Sequence, residues 1–269
     1  MMINSKYFYL FFLFIFLLEK ANSFDLKGNY IQGGLVFGKL EKKAKVFLDD
    51  KKIPVDEFGN FLFGFNRKHK PQSIIKVLYE SGETTKKVIN VNTRKYKIQR
   101  INNLDKKKVT PPKSYYDRIK VETALIKKSK KTFYNYPYYK VGFIMPVEGI
   151  ITGVYGSQRI LNGIAKRPHY GIDIANKEGT EIVSPSDGVI VLAEKDLFFS
   201  GGTIIISHGL GLTSSLLHLS EIFVAVGDKV EIGEKIGRVG STGRSTGPHL
   251  DWRMDIRGIR IDPQLLINQ

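Results

Sequence analysis

The chain of 269 residues carries 42 Lys and Arg against 26 Asp and Glu, a net charge of +16, and it contains no cysteine. This length allows one large or two modest domains with packed cores. The lack of cysteine excludes disulfides, cysteine-ligated zinc and cysteine nucleophiles, so any metal must be held by His, Asp or Glu.

Residues 1–23 predict a signal peptide, so we expect a periplasmic or secreted protein of the cell envelope. An apolar run of 12 residues (7–18) follows a lysine, and Ala21 and Ser23 are small residues at the two positions that a signal peptidase reads. The run is shorter than the roughly 20 residues that a membrane-spanning helix needs, so we predict no transmembrane span in the mature chain. Retention of the segment as a short N-terminal anchor is the alternative.

Residues 24–103 predict a small β-sandwich-like domain, because short alternating apolar runs are separated by turn signals. Residues 104–140 predict a basic linker with one helix. Two consecutive prolines, at positions 111 and 112, interrupt regular structure, and Ser114 is the predicted cap of a helix that extends to Lys131.

Residues 141–269 predict an all-β domain with a barrel-sandwich-like architecture. Its β-branched runs, such as Thr-Ile-Ile-Ile-Ser at 203–207, are typical of buried strands, and glycine turns separate them. No stretch in this region has sustained helical periodicity. The predicted fold class of the whole chain is therefore mainly β.

The excess positive charge lies ahead of the last domain. Residues 24–140 hold 28 Lys and Arg against 11 Asp and Glu, whereas residues 141–269 hold 12 against 14. For an exported protein, the anionic partners within reach are envelope polymers and lipid head groups, and nucleic acid is not expected. The alternative is an ordinary solvated lysine-rich surface.

Three histidine-containing segments of the last domain combine the residue types of a metal site. His169 and Asp173 are four residues apart, and His218 lies in a predicted strand. His249 and Asp251 are two residues apart in another predicted strand, so their side chains share one face. Any one of these histidines alone could be a buried core residue whose hydrogen bonds are made within the fold. The combination, however, predicts a metal site.

The same segments resemble a known family. Pro-His-x-Gly-x-Asp, His-Leu-Ser and Ser-Thr-Gly-x-x-x-Gly-Pro-His-Leu are similar to the motifs of the lysostaphin-type (LytM-like) zinc metallopeptidases, which cut peptide cross-links of bacterial peptidoglycan. The resemblance covers residues 143–262. It implies an exported zinc metallo-endopeptidase that acts on peptidoglycan stem or cross-link peptides. It also implies that His169 and Asp173 are zinc ligands, and that His218 and His249 activate water and stabilise the tetrahedral intermediate.

Asp251 departs from the family pattern, because it stands where the family usually has its third ligand, a histidine. A carboxylate is a normal zinc ligand, so the resemblance implies one zinc ion held by His169, Asp173 and Asp251. The extra negative charge should make the bound water less acidic, and oxygen ligands weaken selection against other divalent metals. The alternative is a catalytically inactive relative that activates cell-wall amidases. His208 matches a recurrent family histidine that is structural.

Overall fold

The computed structural model describes residues 24–267, so the predicted signal peptide lies outside the described residues. The chain is mainly β, which confirms the predicted fold class. Between residues 24 and 267, no helix is both long enough and apolar enough to cross a membrane.

The first eight strands are β1 (Phe24–Gly28), β2 (Leu35–Leu40), β3 (Ala44–Leu48), β4 (Lys51–Ile53), β5 (Asn60–Gly64), β6 (Gln72–Tyr79), β7 (Thr84–Asn90) and β8 (Ile98–Ile101). Strands β1 to β7 form the N-terminal part as two antiparallel sheets, in the orders β1-β2-β5 and β4-β3-β6-β7.

Strand β5 lies between two apolar cores. Phe61 and Phe63 belong to the core that the two N-terminal sheets share, whereas Leu62 between them belongs to the core of the C-terminal sheet. Alternating strand residues point to opposite faces, which is why one strand can serve both cores. The two parts of the chain therefore pack against each other along this strand.

The segment between the two parts contains two helices, α1 (Lys106–Val109) and α2 (Tyr116–Ser129). The helix predicted over residues 114–131 is present as α2, but the predicted cap is wrong. Ser114 lies in a 3₁₀ turn that precedes α2, and Tyr115 occupies the cap position without a side-chain hydrogen bond. Strand β8 pairs in parallel with β10 (Gln158–Leu161), so a strand from the predicted N-terminal domain extends a ladder of the C-terminal part.

The C-terminal part consists of further strands and one 3₁₀ turn at Pro263–Leu266. Besides β10, the strands are β9 (Ile150–Gly153), β11 (Ile164–Ala165), β12 (Ile172–Ala175), β13 (Glu181–Val183), β14 (Gly188–Leu197), β15 (Gly201–Ser207), β16 (Leu212–Leu219), β17 (Glu221–Ile222), β18 (Lys229–Val230), β19 (Lys235–Arg238), β20 (His249–Ile256) and β21 (Ile259–Ile261).

The largest sheet has the order β18-β14-β15-β16-β20-β12-β9, with β21 paired to β20. One face of this sheet carries the main apolar core, in which Leu250, Trp252 and Met254 of β20 are fully buried. The intervening residues of β20 point to the opposite face. Helix α2 covers part of that opposite face, because its Leu125 and Ile126 pack on Ile205 and neighbouring residues.

Candidate metal centre

Two carboxylates lie close together on the face of the large sheet opposite the main apolar core. Asp173 of β12 and Asp251 of β20 lie directly opposite each other in an antiparallel ladder. Residues that face each other across such a ladder project their side chains to the same side, about 5 Å apart. Both carboxylates are buried, which is costly for two like charges unless compensating groups are present.

His169 completes a buried group of potential ligands. One ligand atom from each of His169, Asp173 and Asp251 lies within 4.8 Å of the other two. Nε2 of His169 is 3.2 Å from Oδ1 of Asp173, but neither atom has a hydrogen-bond partner among residues 24–267. Buried polar atoms without partners are costly, so this pair indicates a ligand between them.

Two glycines make room for the carboxylates. A side chain at Gly153 would place its Cβ 2.2 Å from Oδ2 of Asp173. At Gly171, a Cβ would lie 2.4 Å from the backbone oxygen of Trp252 and 2.9 Å from Oδ1 of Asp251. Such distances are far inside van der Waals contact. The glycine of the Pro-His-x-Gly-x-Asp motif is therefore needed for space at the centre.

Each carboxylate is paired with its own arginine. Arg159 of β10 donates to Oδ2 of Asp173. The Arg253 guanidinium donates from Nε to both oxygens of Asp251, at 3.0 and 3.1 Å, and from Nη2 to Oδ2 at 2.5 Å. Sequence reasoning missed both arginines. The signal for Arg253 was available, since it lies two residues after Asp251 on the same strand face, whereas nothing local indicates Arg159.

These pairs keep both carboxylates ionised. Burial and the nearby charge of Asp251 raise the pKa of Asp173, but contact with His169 and the charge of Arg159 outweigh them and lower it. Burial also raises the pKa of Asp251, and the Arg253 guanidinium more than reverses this, holding the pKa well below its usual range. The centre therefore presents two anionic oxygens to a cation at neutral pH.

His218 reaches the site through an irregularity in β16. Its backbone φ is +70°, in the left-handed region that residues other than glycine rarely adopt. The pairing of β15 with β16 shifts at this point, because Thr203 faces Leu217 while Gly202 faces Leu219. The extra residue of such a bulge redirects its side chain. Regular alternation would place His218 on the face of Leu216, in the core, yet its ring lies against His249.

The His218 and His249 rings form a pair with centroids 4.8 Å apart. Nδ1 of His218 is 2.7 Å from the backbone oxygen of Thr242, and Nδ1 of His249 is 2.8 Å from that of Gly247. A carbonyl only accepts, so each Nδ1 is assigned as the protonated nitrogen, and each Nε2 then carries the lone pair of the neutral ring. Nε2 of His249 is 3.9 Å from Oδ1 of Asp173.

Burial lowers the pKa of His218 to about 4, although the charge of Asp251 acts in the opposite direction. The ring is therefore neutral at pH 7 and able to accept a proton. The predicted pair of non-ligand histidines thus lies beside the three predicted ligands, on the same face of the sheet.

The residues present fit a zinc ion. The donor set is one imidazole nitrogen and two carboxylate groups, all of them normal zinc ligands. Two of the donor atoms lack any other partner within the described part of the chain. Nε2 of His169 and Oδ1 of Asp173 are 3.2 Å apart, and all three ligand atoms lie within 4.8 Å of one another. Binding would require the more distant atoms to move closer, because zinc–ligand distances are about 2.0–2.2 Å.

The predicted linker contacts the rim of this site. Nη1 of Arg244 is 3.4 Å from the backbone oxygen of Lys108 in α1, and Nζ of Lys108 donates to the backbone oxygen of Phe198 at 2.5 Å. Burial lowers the pKa of Arg244 to about 10, so this guanidinium still carries its charge at neutral pH. Helix α1 therefore connects two loops that border the centre.

Comparison with known proteins finds similarity to one peptidase family in this region. The sequence profile of peptidase family M23 matches residues 167–263. Peptidoglycan DD-endopeptidase ShyA of Vibrio cholerae is 41% identical over 102 residues, which are 37% of this chain and 24% of that protein. DD-carboxypeptidase/endopeptidase Mpg of Neisseria meningitidis is 42% identical over 97 residues, which are 36% of this chain and 22% of that protein. The chain thus spans about a quarter of the length of these relatives.

A similar structure covers most of the chain. The crystal structure of a Pseudomonas aeruginosa protein assigned to peptidase M23 matches with a TM-score of 0.69 and 26% identity, over 89% of this chain and 95% of that one. The match extends beyond residues 167–263 into the N-terminal sheets. The motifs, the fold and the profile agree, and residues 167–263 of this chain match peptidase family M23.

Proposed function

We propose that the protein is an exported zinc metallo-endopeptidase that hydrolyses peptide bonds in peptidoglycan stem or cross-link peptides. The observation that carries this proposal is the buried His169, Asp173 and Asp251 group, in which Nε2 of His169 and Oδ1 of Asp173 lie 3.2 Å apart and make no hydrogen bond to any other described residue. Similarity to proteins named peptidoglycan DD-endopeptidase and DD-carboxypeptidase/endopeptidase supports the substrate class.

The metal would be held by Nε2 of His169, Oδ1 of Asp173 and the carboxylate of Asp251. When bound, zinc supplies Lewis acidity to the scissile carbonyl and to the attacking water. Gly153 and Gly171 keep the space beside the carboxylates free of side chains. Arg159 and Arg253 hold the two carboxylates in place during the reaction.

His218 and His249 would move the protons. With Nδ1 anchored on a backbone carbonyl, each ring presents Nε2, and burial keeps His218 neutral at pH 7. One of the two would accept the proton of the attacking water at its Nε2 lone pair. The other would donate to the oxyanion that develops on the carbonyl, a role that requires a proton on its Nε2 as well as on Nδ1. Fixing both rings before substrate arrives removes a reorganisation cost from the transition state.

The lysine-rich N-terminal part would keep the enzyme near anionic envelope material. In the sheet formed by β4, β3, β6 and β7, Lys76 lies directly opposite Lys86 of β7 on one side and directly opposite Phe47 of β3 on the other. These side chains alternate with the buried residues of the sandwich core, so they point outward. Such a face attracts anionic polymers or head groups in a salt-dependent manner.

Digestion of purified peptidoglycan tests the proposal. We expect the protein to convert cross-linked fragments into uncross-linked ones, measured by chromatography and mass spectrometry, and a chelator to abolish this release. Zinc should restore it, and His218→Ala should not release fragments even with zinc. A metal-loaded protein that releases nothing, and instead stimulates a cell-wall amidase, would favour the inactive regulator.

A further inference from the structure

We infer that Arg253 is a positioning residue for the third metal ligand. Its guanidinium aims the Asp251 carboxylate at the centre and offsets the negative charge that this second carboxylate brings to the ligand group. The inference rests on the proposed zinc site and explains how that site tolerates Asp251.

The contact between the two side chains has the geometry of a fixed pair. Nε and Nη2 of Arg253 make three contacts of 2.5–3.1 Å with the two oxygens of Asp251. The Asp251 side chain is only 3% exposed, so solvent does not compete for it. Charge-assisted hydrogen bonds from a planar guanidinium fix the orientation of a carboxylate as well as its position. About four lone-pair positions exist on a carboxylate, so the arginine leaves room for a cation.

The neighbouring backbone is shaped around this pair. A Cβ at Gly171 would lie 2.6 Å from Cγ of Arg253 and 2.9 Å from Oδ1 of Asp251. The aliphatic part of Arg253 thus lies directly against the glycine that precedes β12. Asp251 and Arg253 are two residues apart on β20, so both project to the face of the metal centre. The pair is therefore part of the centre and not a surface ion pair.

The charge of the pair resolves a difficulty raised by the sequence. Replacing a neutral histidine ligand by aspartate lowers the formal charge of the centre by one unit. A less positive centre should polarise carbonyl and water more weakly. Arg253 restores that unit of charge next to the carboxylate that removed it. The structure thus predicts that Asp251 and Arg253 act as one unit, and that an Asp251→His variant no longer needs the arginine.

Cobalt binding to the metal-stripped protein tests this coupling without any substrate. Wild type, Arg253→Gln, Arg253→Lys, Asp251→His and the Asp251→His/Arg253→Gln double variant would be titrated with Co²⁺. The affinity is read by competition with a chromophoric chelator, and the ligand geometry is read from the visible d–d absorption. Arg260→Gln is the matched control, because Arg260 pairs with the buried Asp255 on the same side of β20 at 3.4 Å.

We expect Arg253→Gln to weaken cobalt affinity about 10–100-fold, the usual effect of losing a group that orients a ligand, and to change the d–d band. Lysine should recover only part of the affinity, since an ammonium cannot make the paired contacts of a guanidinium. In the Asp251→His background, Arg253→Gln should leave affinity within about threefold or strengthen it, because the arginine there only repels the cation. Arg260→Gln should leave the affinity unchanged.

Equal loss of affinity in the aspartate and histidine backgrounds would overturn the inference, as would a wild-type band and affinity in Arg253→Gln. Circular dichroism checks folding, and the lysine variant retains the test if glutamine at 253 prevents folding. A wild-type protein that binds no cobalt or zinc would instead contradict the proposed function. The two failures are therefore distinguishable.

Discussion

Two buried histidines, His208 directly after β15 and His218 in β16, differ in their hydrogen bonds. Burial lowers the pKa of each to about 4. In His208, Nδ1 contacts the backbone oxygen of Asp187 and Nε2 contacts Oγ of Ser214, both at 2.7 Å. In His218, only Nδ1 makes a hydrogen bond among the described residues, to Thr242. A depressed pKa therefore does not distinguish the two.

The two rings differ in whether a ring nitrogen is free to take part in chemistry. His208 has both nitrogens engaged by the fold, so it stabilises structure and has no free lone pair for chemistry. His218 has one nitrogen anchored and the other available beside His249, and its backbone is held in a left-handed conformation. Strained conformations persist where the surrounding structure enforces them, often at functional sites. The free ring nitrogen and the strained backbone of His218, and not its burial, are therefore the features that support its proposed role.

The largest expected effect is a loss of activity when His218, but not His208, is replaced. His218→Ala should lower kcat/KM on peptidoglycan fragments about 100–10,000-fold, the usual contribution of a positioned proton-transfer group. Zinc content and the thermal midpoint should change little, because His218 is not a predicted ligand. His208→Asn, which keeps a donor for Asp187, should retain most of the kcat/KM of the folded protein. Similar activity losses in both variants would remove the distinction.

Gly171→Ala should destabilise the protein and weaken zinc binding through steric overlap alone. Its Cβ would meet a backbone oxygen at 2.4 Å, and forced overpacking of this kind costs about 1–3 kcal/mol. Urea unfolding measures that loss, and isothermal titration with zinc should show weaker binding. Gly247→Ala is the control for stability, because its Cβ would have no atom within 4 Å. Equal free energies of unfolding for wild type and Gly171→Ala would contradict the packing argument.

Acid should destabilise the metal-free protein through His208. Its folded-state pKa is about 4, below the ordinary value of about 6.5, so the unfolded chain binds the proton more readily. The stabilisation from the neutral ring is therefore complete above about pH 6.5 and is lost as pH falls towards 4. Between pH 7.5 and 5.0 it should decrease by about 2 kcal/mol. Urea unfolding with chelator present should show a smaller decrease for His208→Asn.

Much of this site could be predicted from local sequence. The period of two along β20 correctly puts His249 and Asp251 on one face, and the structure brings Asp251 together with His169 and Asp173. These features depend on short-range spacing and side-chain chemistry. The family resemblance was confirmed over residues 167–263.

The rest depended on contacts between distant parts of the chain. Arg159 reaches Asp173 from another strand, and the bulge at His218 requires a register shift against β15. The cap of α2 was mispredicted because a 3₁₀ turn takes up Ser114 before the helix begins. The parallel pairing of β8 with β10 joins residues about 60 positions apart, and no local pattern encodes such a pairing. The domain boundary at residue 103 stays a prediction.

The most direct test of the account is the zinc content of wild type, Asp251→Ala and Asp255→Ala, purified identically and measured by mass spectrometry at equal free zinc. Asp255 is an equally buried carboxylate of β20 that pairs with Arg260 away from His169, so it controls for loss of a buried charge. We predict one zinc per molecule in wild type and in Asp255→Ala. We predict less than about a tenth of that in Asp251→Ala, because removing one of three ligands sharply lowers zinc affinity. Full zinc occupancy in Asp251→Ala would show that this aspartate is not a ligand.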